Sequence, residues 1–145
     1  MDGRFGIALV GLATVAMVFV LGSLSAQEVE PDGESPVALE PVAATGLQRL
    51  TLTESAAERL DIQTATVQAT PDGTLHVPSA ALIITPDGLH WVYTNPAPLQ
   101  YVRHEITEVV EDDFQAFYVS GPIAGTSVVI RGVPELYGAE FGIGK

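Results

Sequence analysis

Cysteine is absent from the 145 residues, and bases are scarce: six Lys plus Arg stand against eighteen Asp plus Glu. Without Cys there are no disulfides, no thiolate chemistry, no Cys-based zinc site, no c-type haem attachment and no lipid-modified lipoprotein Cys. The formal net charge is −12 and the bases are scattered singly, so no Lys/Arg stripe can neutralise phosphates or lie on anionic lipid. Nucleic-acid binding is excluded on that ground. The one Lys is Lys145, and neither Gly-x-Ser-x-Gly nor Ser-x-x-Lys occurs, which leaves nucleophilic catalysis without a residue set. The expectation is therefore a protein that is not an enzyme and takes no cofactor.

Long hydrophobic runs are missing too, except for one. Phe5 to Leu24 are twenty consecutive uncharged residues in which only Thr14 and Ser23 are polar. At ~1.5 Å per residue such a run covers the ~30 Å hydrocarbon core of a bilayer. Arg4 precedes it and Glu28 and Glu30 follow, which places Met1 in the cytoplasm and the remainder in the periplasm. Two fates stay open for residues 1–26. The length favours a retained inner-membrane anchor, whereas Ser23-Leu24-Ser25 before Ala26 has the small-x-small form of a signal-peptidase site. Localisation follows accordingly: the cell membrane with an extracytoplasmic domain, or the periplasm after cleavage.

Residues 27–46 hold five acids, no bases, three Pro and two Gly, and read as an acidic disordered tether. Residues 47–145 then form one modest domain with five bases and twelve acids. Here turn signals punctuate short β-type runs. Leu47 to Leu52 alternates apolar and polar, and Thr53 stands as an N-cap before a two-turn helix ending near Leu60. Ile62 to Gln68 alternates again. Pro71-Asp72-Gly73 marks a turn before Leu75 to Val77, and Pro86-Asp87-Gly88 marks a hairpin between Ala80–Thr85 and Leu89–Thr94. Further strands are expected at Leu99 to Val110, Phe114 to Ser120 and Ser127 to Arg131. Breaks are expected at Asn95-Pro96, Glu111-Asp112-Asp113 and Gly121-Pro122, and Val133 to Tyr137 is a second helix candidate. The pattern predicts a mainly β fold, a small antiparallel barrel or sandwich with one short helix, preceded by the transmembrane or signal helix.

Four segments carry a resemblance: VPSAALIITPDGLHWVYTN, LQYVRHEITEVV, SGPIAGTSVVIRG and ELYGAEFGIG. They resemble the C-terminal, membrane-proximal portion of the periplasmic adaptor subunits of RND-type efflux pumps, the membrane fusion proteins. The matching positions are Pro78 and Ala81, Trp91-Val92-Tyr93, Arg103 to Val109, and Gly121, Gly125, Val128 and Val129. Leu50 to Val67 is similar to the stretch that leads into the same domain, with Asp61 where Gly is common. In full adaptors a β-barrel, a lipoyl-like domain and an α-helical hairpin lie between these parts. Here only Ala69 to Thr74 separates them, and no coiled-coil heptads occur. The resemblance implies an isolated membrane-proximal domain in which the leading and trailing segments pair. It also implies a transporter subunit of RND type as partner, with surface docking in place of duct formation.

Few residues suggest chemistry of their own. His76, His90 and His104 are spaced fourteen apart, but they lie in strands divided by turns, so ordinary strand histidines are expected and no metal site. Glu111-Asp112-Asp113 lacks the spacing of a calcium loop and reads as a solvated turn. Alternation puts Leu89, Trp91 and Tyr93 on one face, His90, Val92 and Thr94 on the other. The first set is either core or a partner-binding face anchored by Trp91. Arg103 and Arg131 pair with neighbouring acids or meet an acidic pump surface. Trp91, Tyr93, Arg103 and Arg131 are thus the candidate interface. The expected function is a non-catalytic, extracytoplasmic accessory or adaptor-like subunit of a membrane efflux transporter. The alternative is a free-standing extracytoplasmic ligand- or metal-binding domain.

Overall fold

The computed structural model describes residues 35–142, and the expected membrane segment and the first part of the expected tether lie outside the described residues. The order of elements is β1 (Val37–Pro41), β2 (Gln48–Leu52), α1 (Glu54–Arg59), β3 (Gln63–Thr66), β4 (Gln68–Ala69), β5 (Leu75–Pro78), a 3-10 turn (Ser79–Ala81), β6 (Ile83–Ile84), β7 (His90–Ala97), β8 (Gln100–Ile106), β9 (Val110–Glu111), β10 (Gln115–Tyr118), β11 (Ser127–Arg131) and α2 (Val133–Phe141). The fold is mainly β, as the turn spacing implied. A seven-stranded antiparallel sheet runs β1-β2-β8-β7-β11-β3, with β6 also on β7, and a four-stranded one runs β4-β5-β10-β9. Among the described residues no helix is long and apolar enough to cross a membrane.

The large sheet is covered on both faces. On one side Leu50, Leu52, Tyr93, Tyr101 and Val129 pack with Ala56 of α1 and with Val133 and Leu136 of α2. On the other side Val92, Ile106 and Val128 pack with Val77, Ala116 and Tyr118 of the small sheet. Neighbours in sequence, Val92 and Tyr93 or Val128 and Val129, therefore enter different cores, because successive strand residues point to opposite faces. Val92 is fully buried, whereas Leu89, from the set expected as core or partner-binding face, is 38% exposed.

Local chemistry explains the element boundaries. The Thr53 hydroxyl accepts the Ala56 amide at 3.2 Å and caps α1. At its other end Asp61 N donates to Glu58 O and Ile62 N to Ala57 O, the reciprocal bonds of a Schellman motif, with Asp61 at φ +50°. That conformation favours Gly, and Asp tolerates it better than most side chains. Thr70-Pro71-Asp72-Gly73 and Thr85-Pro86-Asp87-Gly88 fold into the same turn. In each, the Thr hydroxyl donates to the Asp carboxylate, the Gly amide donates to the Thr carbonyl at 2.8 Å, and the carboxylate accepts the amide after Gly.

Several boundaries differ from expectation. The segment read as tether contributes β1, whose Val37 to Pro41 pair in register with Leu52 to Gln48. Four of its five residues are exposed, so the backbone ladder on the open edge of β2 holds it and composition gave no sign of it. Asn95-Pro96 does not end β7: the register shifts between Thr94 and Ala97, and Asn95 Nδ2 donates to the carbonyls of Ala97 and Gln100. Such an irregularity accommodates the missing Pro amide. Ala80–Thr85 is part 3-10 turn, with only Ile83–Ile84 in β structure. The helix candidate at Val133 continues to Phe141.

Candidate functional site

Strands β7 and β8 put three of the four candidate residues on the helix-covered face. Tyr93 lies opposite Arg103, and Trp91 lies opposite Glu105 two positions along the same face. The last turns of α2 cross above them. Leu136 and Glu140 are four apart and both buried, so the stripe that anchors the helix ends in a carboxylate. Glu140 Oε2 accepts from Tyr93 Oη at 2.6 Å and from Arg103 Nε at 2.8 Å. The side chains of Arg103 and Glu140 are only 9% and 2% exposed.

Aromatic rings surround the guanidinium. Arg103 Cζ stands 4.5 Å from the Trp91 ring centre, 5.0 Å from that of Phe141 and 5.9 Å from that of Tyr137. Each contact is of cation–π type, and removal of water around the charge strengthens it. Tyr137 and Phe141 meet at 4.7 Å between centres, as helical residues four apart do. Trp91 Nε1 donates to Thr85 Oγ1 at 3.2 Å, which ties the indole to the second Thr-Pro-Asp-Gly turn. In that turn the Thr85 hydroxyl bond, and more weakly the Leu89 amide and the Arg103 charge, hold the Asp87 carboxyl below the usual carboxylate range. Burial, then the Glu140 hydrogen bond and charge, push the Tyr93 hydroxyl pKa upward, so Tyr93 stays a donor.

Arg131 does not join this group. It closes β11 and meets Asp61 at 3.0 Å, with both side chains more than half exposed. The two arginines thus realise the ion-pair reading in different ways, one buried and one on the surface. The three histidines are divided between the two sheets. His76 Nδ1 meets Gln115 Oε1 at 2.9 Å in the small sheet, while His90 and His104 belong to β7 and β8. Among the described residues no group of three or more His, Asp or Glu converges on a common point. Asp112 organises the β9–β10 turn by accepting the Phe114 and Gln115 amides, both at 2.8 Å.

Glu140, Tyr137 and Phe141 are the site residues that the sequence did not single out. Their signal was the i, i+4 pairing of Leu136 with Glu140 and of Tyr137 with Phe141, which appears only when the helix is continued past Tyr137. No family model matches the chain, and no curated protein or solved structure gives a significant match either.

Proposed function

We propose that the protein is a non-catalytic extracytoplasmic accessory or adaptor-like subunit of a membrane efflux transporter of RND type, held at the membrane through its N-terminal segment. The observation that carries this reading is the pairing of β3 with β11. Thr66 lies opposite Ser127, Ala65 opposite Val128 and Thr64 opposite Val129. The resemblance to the adaptors implies that the segment leading into the domain and the segment leaving it share one sheet. Val67 N also donates to Thr126 O, and Gly125 N to Val67 O, so the pairing continues beyond the strands. A short turn at residues 70–74 joins the leading segment to β5, at the place where the resembled proteins carry their further domains.

The non-catalytic part of the reading rests on how the titratable groups are used. The buried carboxylate of Glu140 accepts from both Tyr93 and Arg103, and the group holds α2 on the sheet. Affinity capture of the full chain from detergent-solubilised membranes tests the proposal. A transporter subunit is expected to copurify, and recovery without any transporter component would overturn it.

A further inference from the structure

Arg103 has more donors than the fold uses. A guanidinium carries five N–H groups, and Nε alone is engaged, by Glu140. Among the described residues neither Nη group has a hydrogen-bonding acceptor, although the side chain is only 9% exposed. Arg103 lines a cleft of about 460 Å³ whose walls include Trp91, Tyr137 and Phe141, with Asp87 also at its edge. The guanidinium meets solvent at this cleft, among flat aromatic rings.

We propose that this cleft binds a carboxylate borne on a flat apolar body, the carboxylate on the Arg103 Nη groups and the body against Trp91 and Phe141. Three observations select that class. The two Nη groups match the two oxygens of a planar carboxylate. A doubly charged anion such as phosphate is disfavoured, because Glu140 already balances Arg103 and Asp87 adds a negative charge at the edge. An organic cation is disfavoured as well, because it would meet the like charge of Arg103 on the cleft wall. A free organic acid and the C-terminal residue of a peptide share this chemistry. The inference stands apart from the transporter reading, since it concerns a ligand of the cleft and holds with or without a pump partner.

Trp91 is the one Trp of the chain, so its fluorescence reports on the cleft in the full-length protein. Phenylacetate is expected to change it saturably, and neutral phenylacetamide to bind about tenfold more weakly or worse, for loss of charge-assisted hydrogen bonds. Asp87→Asn is expected to tighten phenylacetate roughly twofold to threefold by removing a like charge. Arg103→Lys keeps a charge for Glu140 but loses the fork, and binding should weaken about tenfold. Should that variant fail to fold, Leu47→Tyr fills the cleft from its wall without touching the ion pair, and should abolish the response at unchanged melting temperature. A tripeptide ending in Phe, compared as free acid and as amide, separates the sources. Preference for the peptide acid over phenylacetate assigns a protein C-terminus, and the reverse assigns a free organic acid. Equal response to acid and amide forms, or a response that survives Leu47→Tyr, would overturn the proposal.

Discussion

The two faces of the seven-stranded sheet come from the same strands, yet they are covered by different means. The face toward the small sheet is closed by branched aliphatic residues and by one buried tyrosine, Tyr118, whose hydroxyl donates to the Pro122 carbonyl at 2.7 Å. Contact there is close enough that Gly121 admits no side chain: a Cβ would lie 2.6 Å from Ile106 Cγ2 and 2.8 Å from the Tyr118 ring. The face toward the helices buries two tyrosines, Tyr93 and Tyr101, and gives Tyr93 a carboxylate partner with an arginine beside it. An ion pair inside a fold seldom adds net stability over apolar residues of similar shape, because both charges must be desolvated. The difference teaches that the first face is built for cohesion. The second keeps polar groups that cohesion alone does not require, and the cleft lies on that side.

The largest effect should come from leaving a buried charge alone. Arg103→Ala strands Glu140 and is expected to cost about 3–5 kcal/mol in urea unfolding at pH 7. Replacing the whole group by apolar residues, as in Arg103→Met with Tyr93→Phe and Glu140→Leu, should cost far less or nothing. A triple variant as unstable as Arg103→Ala would break the comparison, by making the polar group a net source of stability.

On the cohesive face, Ile106→Ala removes a fully buried side chain and should cost about 2–4 kcal/mol. The two tyrosines sharpen the contrast at smaller scale. Tyr93→Phe loses a bond to a charged acceptor and should cost about 1.5–3 kcal/mol, against about 1 kcal/mol for Tyr118→Phe. Both hydroxyls also have raised pKa values, Tyr118 pushed up to about 12 by burial and Tyr93 raised by burial and by Glu140. Since the unfolded tyrosine ionises near ~10, their contribution is complete below that pH and is lost as pH rises through the folded values. Urea midpoints should therefore fall above pH ~10, and fall less in the double Phe variant.

The smallest effects belong to the surface. Arg131→Ala breaks an exposed pair with Asp61 and should change stability by less than about 1 kcal/mol. The carboxyls of Asp72, Asp87 and Asp112 are held low, the first two mainly by Thr hydroxyls and the third by backbone amides. A depressed folded pKa gives stability that is present above the unfolded value of ~3.9 and lost as pH falls through the folded one. Acid titration of the midpoint should show that loss below pH ~4, reduced when Asp112 is replaced by Ala.

Much of this was legible in the chain because it depends on local chemistry. Thr53 announced α1, Pro71-Asp72-Gly73 announced a turn and Pro86-Asp87-Gly88 a hairpin, alternation in Ile62 to Gln68 announced β3, and the β-type run Ser127 to Arg131 announced β11. What escaped depends on covering layers and open edges. Residues 37–41 look like tether because they lie within an acidic, Pro- and Gly-containing stretch, and only the free edge of β2 makes them a strand. The burial of Val92 escaped because alternation cannot say that a second sheet covers its face. In the site, Trp91, Tyr93 and Arg103 were visible as aromatics and scarce bases. Glu140 stayed hidden because a carboxylate at the end of a helical stripe is read as solvated until its arginine is placed beneath it.

The contrast between the cohesive face and the face proposed for recognition comes to one substitution, Trp91→Ala in the full chain, followed by thermal unfolding and by copurification from membranes. Trp91 is half-buried and stacks on Arg103, so its loss should lower stability by about 2 kcal/mol and leave the fold intact. The expected result is a folded protein that no longer retains the proposed transporter partner. A variant that fails to fold would assign Trp91 to the core, and a folded variant that keeps the partner would show that recognition lies elsewhere; either result would contradict the division of the two faces.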